Sequence, residues 1–315
     1  MPEYRATRAK AGDFLTLCKT PELACEVTLQ PVDILKVDAA ILFSDILIPV
    51  EAMGVNLAFT EGEGPRLSPV RSNRDVSGLH VPDPVAETGF VMEAVKLIRN
   101  ELGGRVPLIG FSGAPFTLAS YIVEGGTSRN FRYTLAWMHA DPEGFAALLD
   151  LLADTVIAYA SAQVEAGVQA LQLFDTWAGV LSRTLYREFA LPATRKVVRA
   201  LRRFDVPIIL YVNGSAPFLE ETAAVGVDVL SVDWRVSLAE AAERTRGATA
   251  LQGNLDVMAL YGGTEVIERE VARVLASAPA LGHIFNLGHG ILPDTPVEAA
   301  RCLVETVHRL GRKEI

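Results

Sequence analysis

Seven short apolar runs, each closed by glycine or a polar residue and separated by longer segments, limit what this chain can fold into. They are "VDAAILFSD" (37–45), "VPLIGFSG" (106–113), "VQALQLFDT" (168–176), "VPIILYVNG" (206–214), "VDVLSVDW" (227–234), "TALQGNLD" (249–256) and "HIFNLGHG" (283–290). Runs of this length, rich in Val, Ile and Leu on both faces, read as strands buried on both sides of a parallel sheet. Parallel neighbours need helical crossovers of one hand, so the sheet is either open or curled into a barrel. A closed (β/α)8 barrel needs eight strands. The opening "MPEYRATRAKAGDF" reads as a loop running into a short helix, as if the chain began just after a strand. The reading is an α/β (β/α)8 TIM-type barrel whose first strand is missing from this sequence, with an open sheet as the alternative.

Helical patterns fill the gaps. The segment 21–36 starts at Pro21 behind Thr20, a good N-cap, and its internal Pro31 predicts a kink or a split. Segments 83–103 and 141–167 both open on Asp-Pro and close on Gly; the second is the longest helix expected. The segment 182–204 is basic at its C-terminal end, as the helix dipole favours. Residues 56–82, rich in Gly, Pro and charge, read as a long loop or small hairpin.

Composition narrows the class. Of 315 residues, 50% are hydrophobic and 21% charged, which suits one large core, and residues 1–315 read as a single domain. Polar residues interrupt every apolar run, so no membrane span is expected, and the N-terminus lacks a signal-type apolar segment. Cys18, Cys25 and Cys302 have no metal-ligand spacing and read as thiols in a reducing cytoplasm. A net charge of −9 disfavours nucleic acid and anionic membranes as partners, without excluding a local basic pocket for a small anion.

Function concentrates at the C-terminal ends of parallel barrel strands. The polar residues there are Asp45, Ser112, Asp175, Thr176, Asn213, Asp233, Asn254, Asn286 and His289. Several could simply cap the following helix. Asp45 is harder to dismiss, because Ile41–Phe43 precede it, Ile46–Ile48 follow it, and no cap position is apparent. An unpaired buried carboxylate costs several kcal/mol, so it must stand at an open rim or meet a partner. In "NLGHGILPDTP", Gly288 and Gly290 bracket His289 and permit close approach of a ligand. In "GFSGAPFTLASYIVEGG", Pro115 suits the first turn of a helix, and Tyr121 lies about two turns in, where core and site readings are equally open.

These segments, together with "PEYRATRAKAGDFLTLCKTPELACEVTLQP", "DAAILFSDIL" and "LQLFDTWAG", resemble uroporphyrinogen decarboxylase in order from residue 2 to about residue 311. The resemblance implies a barrel enzyme that forms a homodimer. It converts the four acetate side chains of uroporphyrinogen to methyl groups, giving coproporphyrinogen for haem and chlorophyll synthesis, without metal or organic cofactor. It implies that Asp45 meets the pyrrole N–H groups and that Arg8, Tyr121, Thr176 and His289 contact substrate. The family also carries an Arg-Gln-Ala-Gly-Arg-Tyr segment just before "PEYR", after its first strand. Its two arginines are not in this sequence, which predicts weakened binding and little turnover. A cobalamin- or thiol-linked methyltransferase of the same superfamily is the nearest rival. It needs zinc held by His and Cys, and no Cys accompanies His283 or His289 in the sequence. A tetrapyrrole-binding protein without catalysis is the second.

Overall fold

The computed structural model describes residues 1–60, 64–279 and 282–311. The seven runs become seven parallel strands. They are β1 (Ala40–Ile41), β2 (Leu108–Gly113), β3 (Ala170–Asp175), β4 (Ile208–Val212), β5 (Val229–Ser231), β6 (Ala250–Leu255) and β7 (His283–Leu287). They pair strictly in that order, β1-β2-β3-β4-β5-β6-β7, with helices outside the curled sheet. A small antiparallel hairpin, Leu57–Thr60 with Gly64–Leu67, accounts for the segment read as a loop or hairpin.

The sheet does not meet itself. β1 and β7 are its two edges, and among the described residues no strand joins them. On β6, Gln252 points into the lumen, where its Nε2 donates to Gln172 Oε1 of β3 at 3.4 Å and to Ser231 Oγ of β5 at 3.2 Å. Ile284 is in register with Gln252, and Ile41 with Ile109 and Ala170, so both isoleucines face the same lumen. Both are 44% exposed. The cavity between the edges is about 1030 Å³ and takes in Ile41, Phe43, Gln172, Gln252 and Ile284. Helices close the outside of this seam: the Arg301 guanidinium on the last helix donates to the Ile34 carbonyl at 3.0 Å, and His308 meets Asp38 at 3.0 Å.

Two expectations near the N-terminus need correction. Residues 1–20 are helical rather than a loop: α1 spans Pro2–Ala11 and α2 spans Phe14–Lys19. The segment "PEYRATRAKA" has no apolar stripe, but Ala, Arg, Lys and Glu are strong helix formers. Thr7 ties α1 down by donating to Glu26 Oε1 at 2.6 Å. Pro31 does not split its helix; α3 runs unbroken over Pro21–Leu35, with Ala24, Cys25, Val27, Thr28 and Val32 buried.

Punctuation sets the other boundaries. Asp83 caps α4 (Pro84–Leu102) by accepting from Val85 N and Ala86 N, and Gly103 ends it at φ 54°. Pro115 opens α5 (Pro115–Glu124). Asp141 caps α6 (Pro142–Ala166), the longest helix. α6 is long and apolar enough to cross a membrane, contrary to the expectation of no such segment. Its buried face instead packs Phe145, Leu149, Leu152 and Val156 into the main core with Val95 and Ile98 of α4. The segment 182–204 is helical without a break over Arg183–Leu201, but it widens to a π-turn at Tyr186–Ala190 before α7 (Leu191–Leu201). Pro192 lacks an N–H, so the ladder shifts register there.

Candidate active site

β1 contributes only two paired residues before the chain turns at Ser44 and Asp45 toward a short helix, Ile48–Ala52. Asp45 is half-buried at that turn. Its Oδ1 accepts from Leu47 N at 2.8 Å, and its carbonyl accepts from Ile48 N at 3.2 Å. This Asx turn is a local capping role that the sequence did not disclose. Among the described residues Oδ2 has no protein partner. Burial pushes the carboxyl up to about 6, and only the Leu47 N–H pulls it down. No basic side chain contributes to that balance.

Tyr121 comes to the same place from α5. Burial raises its phenol, the Trp177 hydrogen bond lowers it, and the nearby Asp45 charge raises it again. Its ring meets the Trp177 indole edge-on at 5.8 Å. Arg8 approaches from α1, half-buried. The buried Cys18 thiol, pushed up to about 12 by desolvation, feels Asp45 raising it and Arg8 lowering it. Asp45, Tyr121 and Arg8 are therefore within electrostatic reach of one neighbourhood.

Thr176 is half-buried at the end of β3. The preceding Asp175 is fully buried, and its Oδ1 accepts from Thr117 Oγ1 at 2.7 Å. Thr117 Oγ1 in turn accepts from Trp177 N at 3.1 Å. Asp175 therefore grips α5 rather than capping the next helix. Thr117 and Asp175 fix the loop that carries Thr176 and the indole against Tyr121. Burial pushes Asp175 up to about 7, with the Thr117 donors opposing. The Thr176 carbonyl accepts from Asn213 Nδ2 at 3.4 Å. Asn213 Oδ1 and Asp233 Oδ2 both accept from Arg235 Nη1, at 3.0 and 2.7 Å. Asn254 Nδ2 donates to the Asp233 carbonyl at 2.8 Å. Ser112, buried in β2, donates only to the neighbouring Gly113 carbonyl, and Asn286 Oδ1 accepts from Leu287 N.

His289 lies across the mouth, exposed, with Nδ1 3.4 Å from the Gly290 carbonyl. Tyr211 from β4 supports its loop: the phenol donates to the Gly288 carbonyl at 2.8 Å, and its ring lies 6.4 Å from the imidazole. The two bracketing glycines differ. A Cβ on Gly288 would meet Trp234 at 2.8 Å, whereas one on Gly290 meets nothing within 4 Å. Gly288 is required by close packing; Gly290 leaves open space. No hydrogen bond joins His289 to Asp45, Tyr121 or Thr176 among the described residues.

Thr117, Trp177, Tyr211 and Arg235 escaped the sequence reading. Thr117 and Tyr211 sit inside apolar runs where a hydroxyl reads as core. Trp177 and Arg235 stand two and four residues past the strand ends, where only the fold shows that they turn back over the mouth.

Comparison with known proteins bears on the family and the fold. A family model described as uroporphyrinogen decarboxylase matches residues 1–310. A uroporphyrinogen decarboxylase of Pectobacterium carotovorum is 52% identical over 318 residues, covering 99% of this chain and 90% of that one. One from Pseudomonas putida is 51% identical over 317 residues, with the same coverage. Among solved structures, a methyltransferase from Methanosarcina mazei superposes with a TM-score of 0.84 at 24% identity, over 98% of this chain and 91% of that one. A B12-independent methionine synthase from Shewanella gives 0.59 at 10% identity, over 92% of this chain and 86% of that one. At those identities the two structures speak to the fold alone. Sequence identity above half along nearly the whole length, with a family model that matches residues 1–310, settles the relationship: the chain belongs to the uroporphyrinogen decarboxylase family.

Proposed function

We propose that this chain carries out the reaction its family is named for, removing carbon dioxide from the acetate side chains of uroporphyrinogen to leave the methyl groups of coproporphyrinogen. The observation that carries the reading is Asp45: a carboxylate at the barrel mouth, desolvated, with one oxygen held by Leu47 and the other without a protein donor.

The chemistry explains why such a group is useful. Breaking the bond between an acetate methylene and its carboxylate leaves an electron pair on carbon. A pyrrole accepts that pair if a ring carbon beside the acetate-bearing position has first been protonated, so that the ring nitrogen carries positive charge. Carbon dioxide then leaves, the pair enters the ring and cancels the charge. The exocyclic carbon next takes a proton to become methyl as the ring carbon loses its own. Asp45 accepts from the pyrrole N–H groups and stabilises the cationic ring. A fixed carboxylate in a desolvated site typically supplies several kcal/mol of this kind. Tyr121 and Thr176 donate hydroxyls to substrate carboxylates, and Arg8 and His289 supply cationic or N–H donors around them. Residues 1–315 act as one catalytic domain. No step calls for a metal or an organic cofactor.

Two further features belong to the same reading. The enzyme works in the cytoplasm, in keeping with the free thiols Cys18 and Cys25, both buried. It acts as a homodimer, which sedimentation of the purified chain tests directly. The reaction itself is tested by incubating the chain anaerobically with uroporphyrinogen and separating the oxidised products. Coproporphyrin that appears with the parent chain and not with Asp45→Asn supports the role given to Asp45. Equal yields would remove Asp45 from the mechanism.

A further inference from the structure

We propose that Arg235 is a substrate-binding residue, held ready at the mouth to receive one carboxylate of the tetrapyrrole. The inference rests on uroporphyrinogen being the substrate and adds a cation to the site from a strand end that the family motifs above do not include.

The geometry is that of a prepared fork. The Arg235 main-chain N donates to Asp233 Oδ1 at 2.8 Å, and Nη1 donates to Asp233 Oδ2 and Asn213 Oδ1. The guanidinium carbon stands 4.8 Å above the Trp234 ring. One nitrogen is thus anchored and one face is shielded, while Nε and Nη2 have no protein partner among the described residues. The side chain is 49% exposed, against 2% for that of Asp233. Asp233 is already shared among the Gly214 N–H, the Arg235 N–H and Nη1, so it orients the fork without occupying its free edge. A planar guanidinium fixed in this way binds a carboxylate through two parallel N–H groups with little further loss of side-chain freedom.

Its position is equally specific. Asn213 links Arg235 to the Thr176 carbonyl on one side. On the other side the Arg235 charge reaches the Tyr211 phenol, which holds the Gly288 carbonyl beside His289. The fork therefore lies between Thr176 and His289 on the rim. Other arginines with several bonds are spent on the protein itself: Arg183 and Arg187 both close on Glu221, and Arg244 closes on Glu220. The ligand is an aliphatic carboxylate, either an acetate or a propionate arm.

The test compares the parent chain with Arg235→Gln and Arg235→Lys. Each is titrated anaerobically with coproporphyrinogen, which retains only propionates, and assayed for KM with uroporphyrinogen. Arg235→Gln, which keeps an N–H for Asn213, weakens binding about tenfold, as losing one charged hydrogen-bonding group does; Arg235→Lys falls between. Loss with both ligands assigns a propionate, and loss with uroporphyrinogen alone assigns an acetate. Unchanged values for both ligands in Arg235→Gln overturn the proposal. If Arg235→Gln melts before it can be titrated, Arg235→Lys decides: weaker binding upholds the fork and parent-like affinity overturns it. A parent chain that neither binds coproporphyrinogen nor forms it sinks the functional reading instead, which separates the two failures.

Discussion

Asp45 and Asp175 stand at the ends of two strands of one sheet, and burial raises both carboxyls, to about 6 and about 7. Their surroundings differ in kind. Asp175 is sealed in and receives a hydroxyl from Thr117, so the protein supplies its donor. Asp45 is half-buried and receives one backbone N–H, which leaves its second oxygen without a protein donor among the described residues. The first arrangement fixes a loop; the second is the one we propose for the reaction. Burial of a carboxylate does not by itself mark a catalytic group. What distinguishes the two is whether the free oxygen faces protein or opening.

The comparison breaks most visibly with Asp45→Asn. Decarboxylation measured from coproporphyrin formation falls about a hundredfold or more, while circular dichroism remains that of the parent. Thr117→Val sharpens the other half. Removing the side-chain donor to a sealed carboxylate costs about 1–3 kcal/mol in urea unfolding, with a smaller loss of rate as Trp177 loosens against Tyr121. His289→Asn, across the mouth, lowers kcat/KM about tenfold if it supplies one charge-assisted hydrogen bond. An unchanged rate would return His289 to a structural role.

The smallest effects are in pH. Both aspartates are raised above the ordinary value of 3.8, so the folded state holds protons that the unfolded chain has already released. Their contribution to stability is full below about pH 4 and is lost as pH rises through about 6 and about 7. Asp45→Asn and Asp175→Asn should each flatten that decline, and Asp45→Asn should unfold at higher urea than the parent at pH 7. In activity the sign reverses for Asp45 alone. Its ionised form is the useful one, so kcat/KM falls as pH drops below about 6. An Asp175→Asn variant with the parent's pH–rate profile would confirm that only one of the pair faces the reaction.

Much of this was legible in the chain itself. All seven strands lie within the apolar runs, because parallel strands covered on both faces must be apolar throughout. Asp45 was conspicuous for the same reason, as a charge inside such a run. The Asx turn at Leu47 was not, since it depends on a side chain bending back onto its own backbone. The helix at Pro2–Ala11 was missed because propensity without an apolar stripe leaves no periodic signal. The Thr117–Asp175 pair, 58 residues apart in sequence, joins two segments that each read sensibly alone. Arg235 lay just past the polar residue that seemed to end its strand, and only the fold returns it to the rim.

The unjoined edges of the sheet carry their own consequence. Most barrels of this class are insensitive to crowding with their own kind, because every peptide group in the wall is already satisfied. Here Ala40–Ile41 and Ile284–Leu287 each present an outer flank at an edge of the described sheet, beside two lumen-facing isoleucines. Such a flank is a template on which a strand from another molecule can add.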